Sequence, residues 1–241
     1  PELLISSFSA GLEIGFSMFL MGTLYTLYHG VLNPSHLHVL LALAYPLGFI
    51  FVVIGKSELF TEHTTLAVIP VLNRNESLKN LLILWGIIYS GNLAGGYVFS
   101  VLLATLPVHM EIISVDAIVS LADNLVDHPW STILGSGILA GWLMGLLSWL
   151  VTSSQETISR IFIIVLVTTV IGIGSLHHSI VGSIEVFTAM IASEEVRMYD
   201  YFYTQFWSTI GNIVGGVVFV ALIKFSHVKT THKITKKDAE E

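Results

Sequence analysis

The chain has 241 residues, of which 54% are hydrophobic and only 11% charged, with a mean hydropathy of +0.80 and a formal charge of -7. Soluble domains carry about a quarter charged residues, so a water-soluble globular protein is excluded, and helical spans of about 20 residues are expected. Zero cysteines exclude disulfides, thiolate metal sites and cysteine nucleophiles. The acidic balance sits in loops and tail and points to no nucleic-acid partner.

The first apolar run, Phe8 to Tyr28, lacks a basic leader and a small-residue cleavage site, so it reads as a span rather than a signal peptide. The start at Pro1 places the expected natural N-terminus further upstream. A loop with Asn33, Pro34 and the histidines His29, His36 and His38 follows. Span two is expected from about Leu40 and meets a polar run from Gly55 to Thr65 that includes Lys56, Glu58, Glu62 and His63. Four ionisable groups cannot face lipid, and the apolar stretch Leu66 to Leu72 is too short to cross alone. Span two is therefore predicted to be broken.

Span three is predicted from Leu78 to Leu106, and a long hydrophilic loop with an optional short surface helix from Pro107 to Pro129. Span four, Trp130 to Val151, sets Gly137, Gly141 and Gly145 on one helical face, which permits close helix contact. The apolar run from Ile161 to Ile191 is interrupted by Gly174-Ser175-Leu176-His177-His178-Ser179, a second break. A polar loop from Ser193 to Asp200 leads to span six, Phe202 to Phe225. Arg74, Lys79, Arg160 and Lys224, Lys229, Lys233, Lys236 and Lys237 then fall on one side of the membrane, against Arg197 on the other. The positive-inside rule places both termini in the cytoplasm.

Gly91-Asn92-Leu93-Ala94-Gly95-Gly96 recurs as Gly211-Asn212-Ile213-Val214-Gly215-Gly216, 120 residues later, and the two breaks are spaced alike. The expected fold is all-α, with six transmembrane helices as two inverted three-helix repeats (about 8–106 and 130–226), the second helix of each broken. Residues 1–228 form one channel domain and 229–241 a charged cytoplasmic tail. Inverted repeats with broken helices at mid-membrane are a transport architecture, not an enzyme's.

At Ser57-Glu58-Leu59-Phe60-Thr61, Gly91-Asn92, His178-Ser179 and Gly211-Asn212 the chain resembles the formate/nitrite transporter family, over essentially its whole length. The resemblance implies an aquaporin-like protomer, a homopentamer in a bacterial inner membrane, and a path for small monovalent anions through each protomer. It also implies a central histidine, matched by His178, facing Thr61, with Leu59 and Phe60 forming an apolar constriction. Glu58, Asn92, Asn212 and Arg160 complete the expected pathway residues. Arg160 stands where the family usually has lysine, His177 where an acidic residue is common, and Gly182 where asparagine is common. Lys56, Glu62 and His63 are also departures.

His178 is expected either to pass a proton to the anion or to stay neutral and donate a hydrogen bond. The asparagines are read as structural rather than substrate-binding. No cofactor is expected. Other readings of the same residues are a channel for hydrosulfide, acetate or ammonia, a transport-inactive scaffold, and an intramembrane metal site of His177, His178 and Glu185. Against the last, there is no His-Glu-x-x-His, and adjacent helical residues point about 100° apart.

Overall fold

The structure, a computed structural model, describes residues 1–223. Lys224 and the tail 229–241, with five of the lysines behind the expected orientation, lie outside the described residues. Everything regular among the described residues is helical.

Helix α1 (Glu2–Tyr28) leads to α2 (Pro34–Ala44) and α3 (Pro46–Gly55). The second span thus begins at Pro34, not Leu40, and His36 and His38 are helical rather than in a loop. The reason is a cap: Asn33 Oδ1 accepts from His36 N at 2.9 Å, and Pro34 suits the first helical turn. Pro46 lacks the N–H that would continue the helix, and Ser17 of α1 mends the joint. Its hydroxyl donates to Tyr45 O at 2.6 Å and accepts from Gly48 N at 3.0 Å.

Beyond the first break come α4 (Phe60–Leu66) and α5 (Val68–Leu72), then the long α6 (Leu78–His109). The stretch expected as a hydrophilic loop instead holds α7 (Val115–Val126), which docks on the bundle. Ala117, Ile118, Leu121, Ala122 and Leu125 make one buried stripe at helical spacing, while Asp116 and Asp123 face out. Counting acidic residues hid that stripe.

α8 (Trp130–Ser153) is followed by α9 (Thr157–Ile173) and α10 (Ser179–Ala192), which flank the second break. α11 (Met198–Val214) passes into a π-helical turn, Gly215–Leu222, where a regular α-helix was expected. Thr65 Oγ1 donates to Gly216 O at 3.0 Å inside that turn. Among the described residues, five helical stretches are long and apolar enough to cross a membrane: α1, α2 with α3, α6, α8, and α11 with its continuation. At 17 and 14 residues, α9 and α10 are each short of the roughly 20 needed.

Small residues bring α1 onto α6 and α8 onto α11. A Cβ at Gly11 would strike the Asn92 carbonyl, and one at Gly141 the Asn212 carbonyl. These paired crossings carry the two asparagines toward the two breaks.

Candidate functional site

Both helices unwind in the same way. Lys56 and Ser175 take left-handed φ of 61° and 46°, and the next residue bonds back five positions, Ser57 N to Val52 O and Leu176 N to Ile171 O, each 3.0 Å. A left-handed residue is a common way to leave a helix. In hydrocarbon the freed groups need partners, and an asparagine supplies them at each break. Asn92 Oδ1 accepts from Phe60 N at 2.8 Å, while its Nδ2 donates to Ser7 O and Glu58 O, both 2.8 Å. Asn212 Oδ1 accepts from Ser179 N at 2.8 Å, and its Nδ2 donates to Gly137 O at 2.9 Å and His177 O at 2.8 Å. A serine completes each frame: Glu58 N donates to Ser6 Oγ at 3.1 Å, and His177 N to Ser136 Oγ at 3.0 Å. Ser6 and Ser136 were missed in the sequence, although each lies five residues before a close-packed glycine, Gly11 or Gly141.

The frames hold different caps. Leu59, fully buried, precedes α4, and His178, 1% exposed, precedes α10. His178 Nδ1 accepts from Val181 N at 3.2 Å. Its Nε2 is then the protonated nitrogen of the neutral ring and donates to Thr61 Oγ1 at 2.9 Å. Phe49 meets the imidazole edge-on at a centroid distance of 5.2 Å. Thr61 and His178 thus join the two breaks directly.

The other expected residues lie around this contact. Phe60 turns toward α6, edge-on to Tyr89 and Trp85 at 4.9 and 6.1 Å. The Glu58 carboxylate pairs with His63, whose carbonyl accepts from Trp85 Nε1 at 3.0 Å. Arg160 stands apart, in the first turn of α9, with Nε and Nη2 donating to Ser154 O at 3.0 and 2.9 Å. His177 is in the unwound segment, not on a helical continuation. Its Nε2 donates to Leu125 O at 2.9 Å and its Nδ1 accepts from Ser136 Oγ at 2.9 Å. The two histidines therefore serve different partners, and among the described residues no three His, Asp or Glu side chains gather as metal ligands.

A cavity of about 70 Å3 leads to His178 from the end of the bundle where α1 finishes and α2 begins, marked by Met21 and His38. Tyr45, Ile171, Gly182 and Glu185 also line it.

The family model for "Formate/nitrite transporter" matches residues 1–226. The chain belongs to that family. It is 30% identical to the inner membrane protein YfdC of Escherichia coli over 99% of this chain and 75% of that one. It is 27% identical to the nitrite transporter NirC of Salmonella typhimurium, covering 90% of this chain and 80% of the relative. Among solved structures, an FNT family ion channel superposes with a TM-score of 0.84 at 22% identity, covering 94% of this chain and 90% of that one. A pentameric formate channel with formate bound gives 0.81, also at 22% identity, covering 94% and 96%. This formate/nitrite transporter family member is an integral membrane protein with the fold of those channels, and its relatives are transporters rather than enzymes.

Proposed function

We propose that the chain is a channel for small monovalent anions such as formate or nitrite, and that His178 and Thr61 form its central contact. The carrying observation is the hydrogen bond between them, which places a protonated Nε2 and a hydroxyl between two interrupted helices. α10 turns its N-terminus toward this point, and a helix N-terminus favours negative charge. Because Nδ1 already accepts from Val181 N, the ring donates Nε2–H while neutral, and making an imidazolium would break that bond. His178 is thus a hydrogen-bond donor to the passing solute. Leu59 and Phe60 are the apolar constriction beside it.

Counted as one interrupted crossing, α9 and α10 make a sixth span, and the matched frames at Asn92 and Asn212 support two inverted repeats. Exposed Arg74 and Lys79, against Arg197 at the other face, support cytoplasmic termini. A pentamer in the inner membrane follows from the relatives. Tyr199, Phe202, Phe206 and Trp207 give α11 an aromatic outer face suited to lipid or a neighbouring protomer.

The test is flux of formate, nitrite, hydrosulfide and acetate into proteoliposomes. Formate or nitrite flux that saturates, and that falls in His178→Leu, is the expected result. Passage of ammonia with no anion would overturn the reading.

A further inference from the structure

We propose that Glu185 exchanges protons with the substrate in the cavity above His178, so that the solute reaches the central contact as a neutral acid. The inference rests on the anion reading above. Glu185 is 7% exposed, lines the cavity and makes no hydrogen bond through its carboxyl group among the described residues. It lies seven residues after His178 with Gly182 between them, at the four- and three-residue spacings that share a helix face. All three line the same cavity, and Gly182 leaves no side chain in the way.

Among the described residues, no lysine or arginine lines this cavity. A carboxylate here repels an arriving formate strongly, since a cavity of about 70 Å3 holds little solvent to screen the two charges. A carboxyl group instead donates its proton. The O–H bond of Glu185 breaks as a formate oxygen takes the proton, and a hydronium ion from the external solution returns a proton to the carboxylate and leaves as water. The product suits the next contact: formic acid has an O–H for Thr61 Oγ1 and a carbonyl for His178 Nε2–H.

Other ionisable groups facing Glu185 are few. His38 from α2, with Nε2 donating to Ile173 O at 2.8 Å, Tyr45 from the α2–α3 joint and His178 share the cavity. α7 contributes Asn124 but no ionisable side chain, α1 contributes Met21, and α4 presents Thr61 to His178. α6 and α11 present the paired hydroxyls of Tyr97 and Tyr201 beside Phe187, outside the cavity lining.

The experiment measures formate uptake, membrane current and internal pH together in proteoliposomes of the full chain. Wild type is expected to move a proton with each formate and to exclude nitrate, whose acid is too strong to be protonated here. Glu185→Gln should lose the proton coupling, carry formate with a current, and raise the nitrate-to-formate flux ratio at least about tenfold. Glu185→Asp should keep the coupling. Unchanged coupling in Glu185→Gln, or uncoupled formate flux in wild type, overturns the role of Glu185 and leaves the anion channel standing. Absence of both formate and nitrite flux in wild type overturns the anion reading and this inference with it.

Discussion

The breaks at 56–59 and 175–178 are held by corresponding bonds to backbone, serine and asparagine, yet end in unlike residues. In one, the cap is Leu59, an apolar side chain sealed among neighbours; in the other it is His178, a hydrogen-bonding ring beside a cavity. The frame and the chemistry are therefore separable. Asn92 or Asn212 holds backbone groups at each break from outside, and at the second His178 Nδ1 also caps α10 through Val181 N, so that its Nε2–H is the part free for a solute on the proposed path.

The sharpest way to break this comparison is to remove one frame. Asn92→Leu and Asn212→Leu each strip hydrogen bonds from three buried backbone groups, and each unpaired group costs about 1–3 kcal/mol. Ser7 O and Gly137 O keep partners within α1 and α8, so two groups per variant are left unpaired and both variants should lose about 2–6 kcal/mol, read as a lowered thermal midpoint in mild detergent. A large loss in one and none in the other would mean that the frames are not equivalent.

Phe60→Ala removes a buried ring packed on Tyr89 and Trp85 and should cost about 3–5 kcal/mol. On the proposed reading, in which the first break supplies the size limit, it should also raise the acetate-to-formate flux ratio. An unchanged ratio would put the constriction elsewhere.

His178→Asn tests the polar cap. It keeps a donor but shifts it, so formate flux should fall about tenfold, equivalent to about 1.4 kcal/mol. Proton coupling should persist, since the ring donates while neutral. Between about pH 5 and 8, where an unperturbed histidine titrates, the shape of the flux profile should match wild type. A flattened profile would restore the relay role for His178.

Leu59→Asn tests the apolar cap. Asparagine is a good helix cap, but here it puts an amide where a fully buried leucine packs, so the net loss should be about 2–4 kcal/mol. Conductance of water and hydrated ions should rise if Leu59 is the seal.

Both breaks and the fold class were legible in the sequence because polar residues inside apolar runs have few physical explanations. The asparagine–glycine motifs gave the repeat, and the structure adds their hydrogen bonds. α7 was not legible as a docked helix, since its acidic residues lie on the face turned from the bundle. The cap at Asn33 and the repair by Ser17 moved span two earlier than its hydropathy indicated. Glu185 was noticed only as a conceivable metal ligand. Its spacing from His178 was visible, but its isolation beside a cavity depends on tertiary packing.

The frame around each break also decides what kind of change the protein can absorb. Asn92 and Asn212 grip main-chain atoms, which every residue other than proline offers, and ignore the identity of the side chain they surround. The asparagine bonds around positions 59 and 178 thus do not depend on the side chains there, although His178 adds bonds of its own to Val181 N and Thr61. On the proposed path, a single substitution there would change what the solute meets while the asparagine bonds that hold each break stay in place.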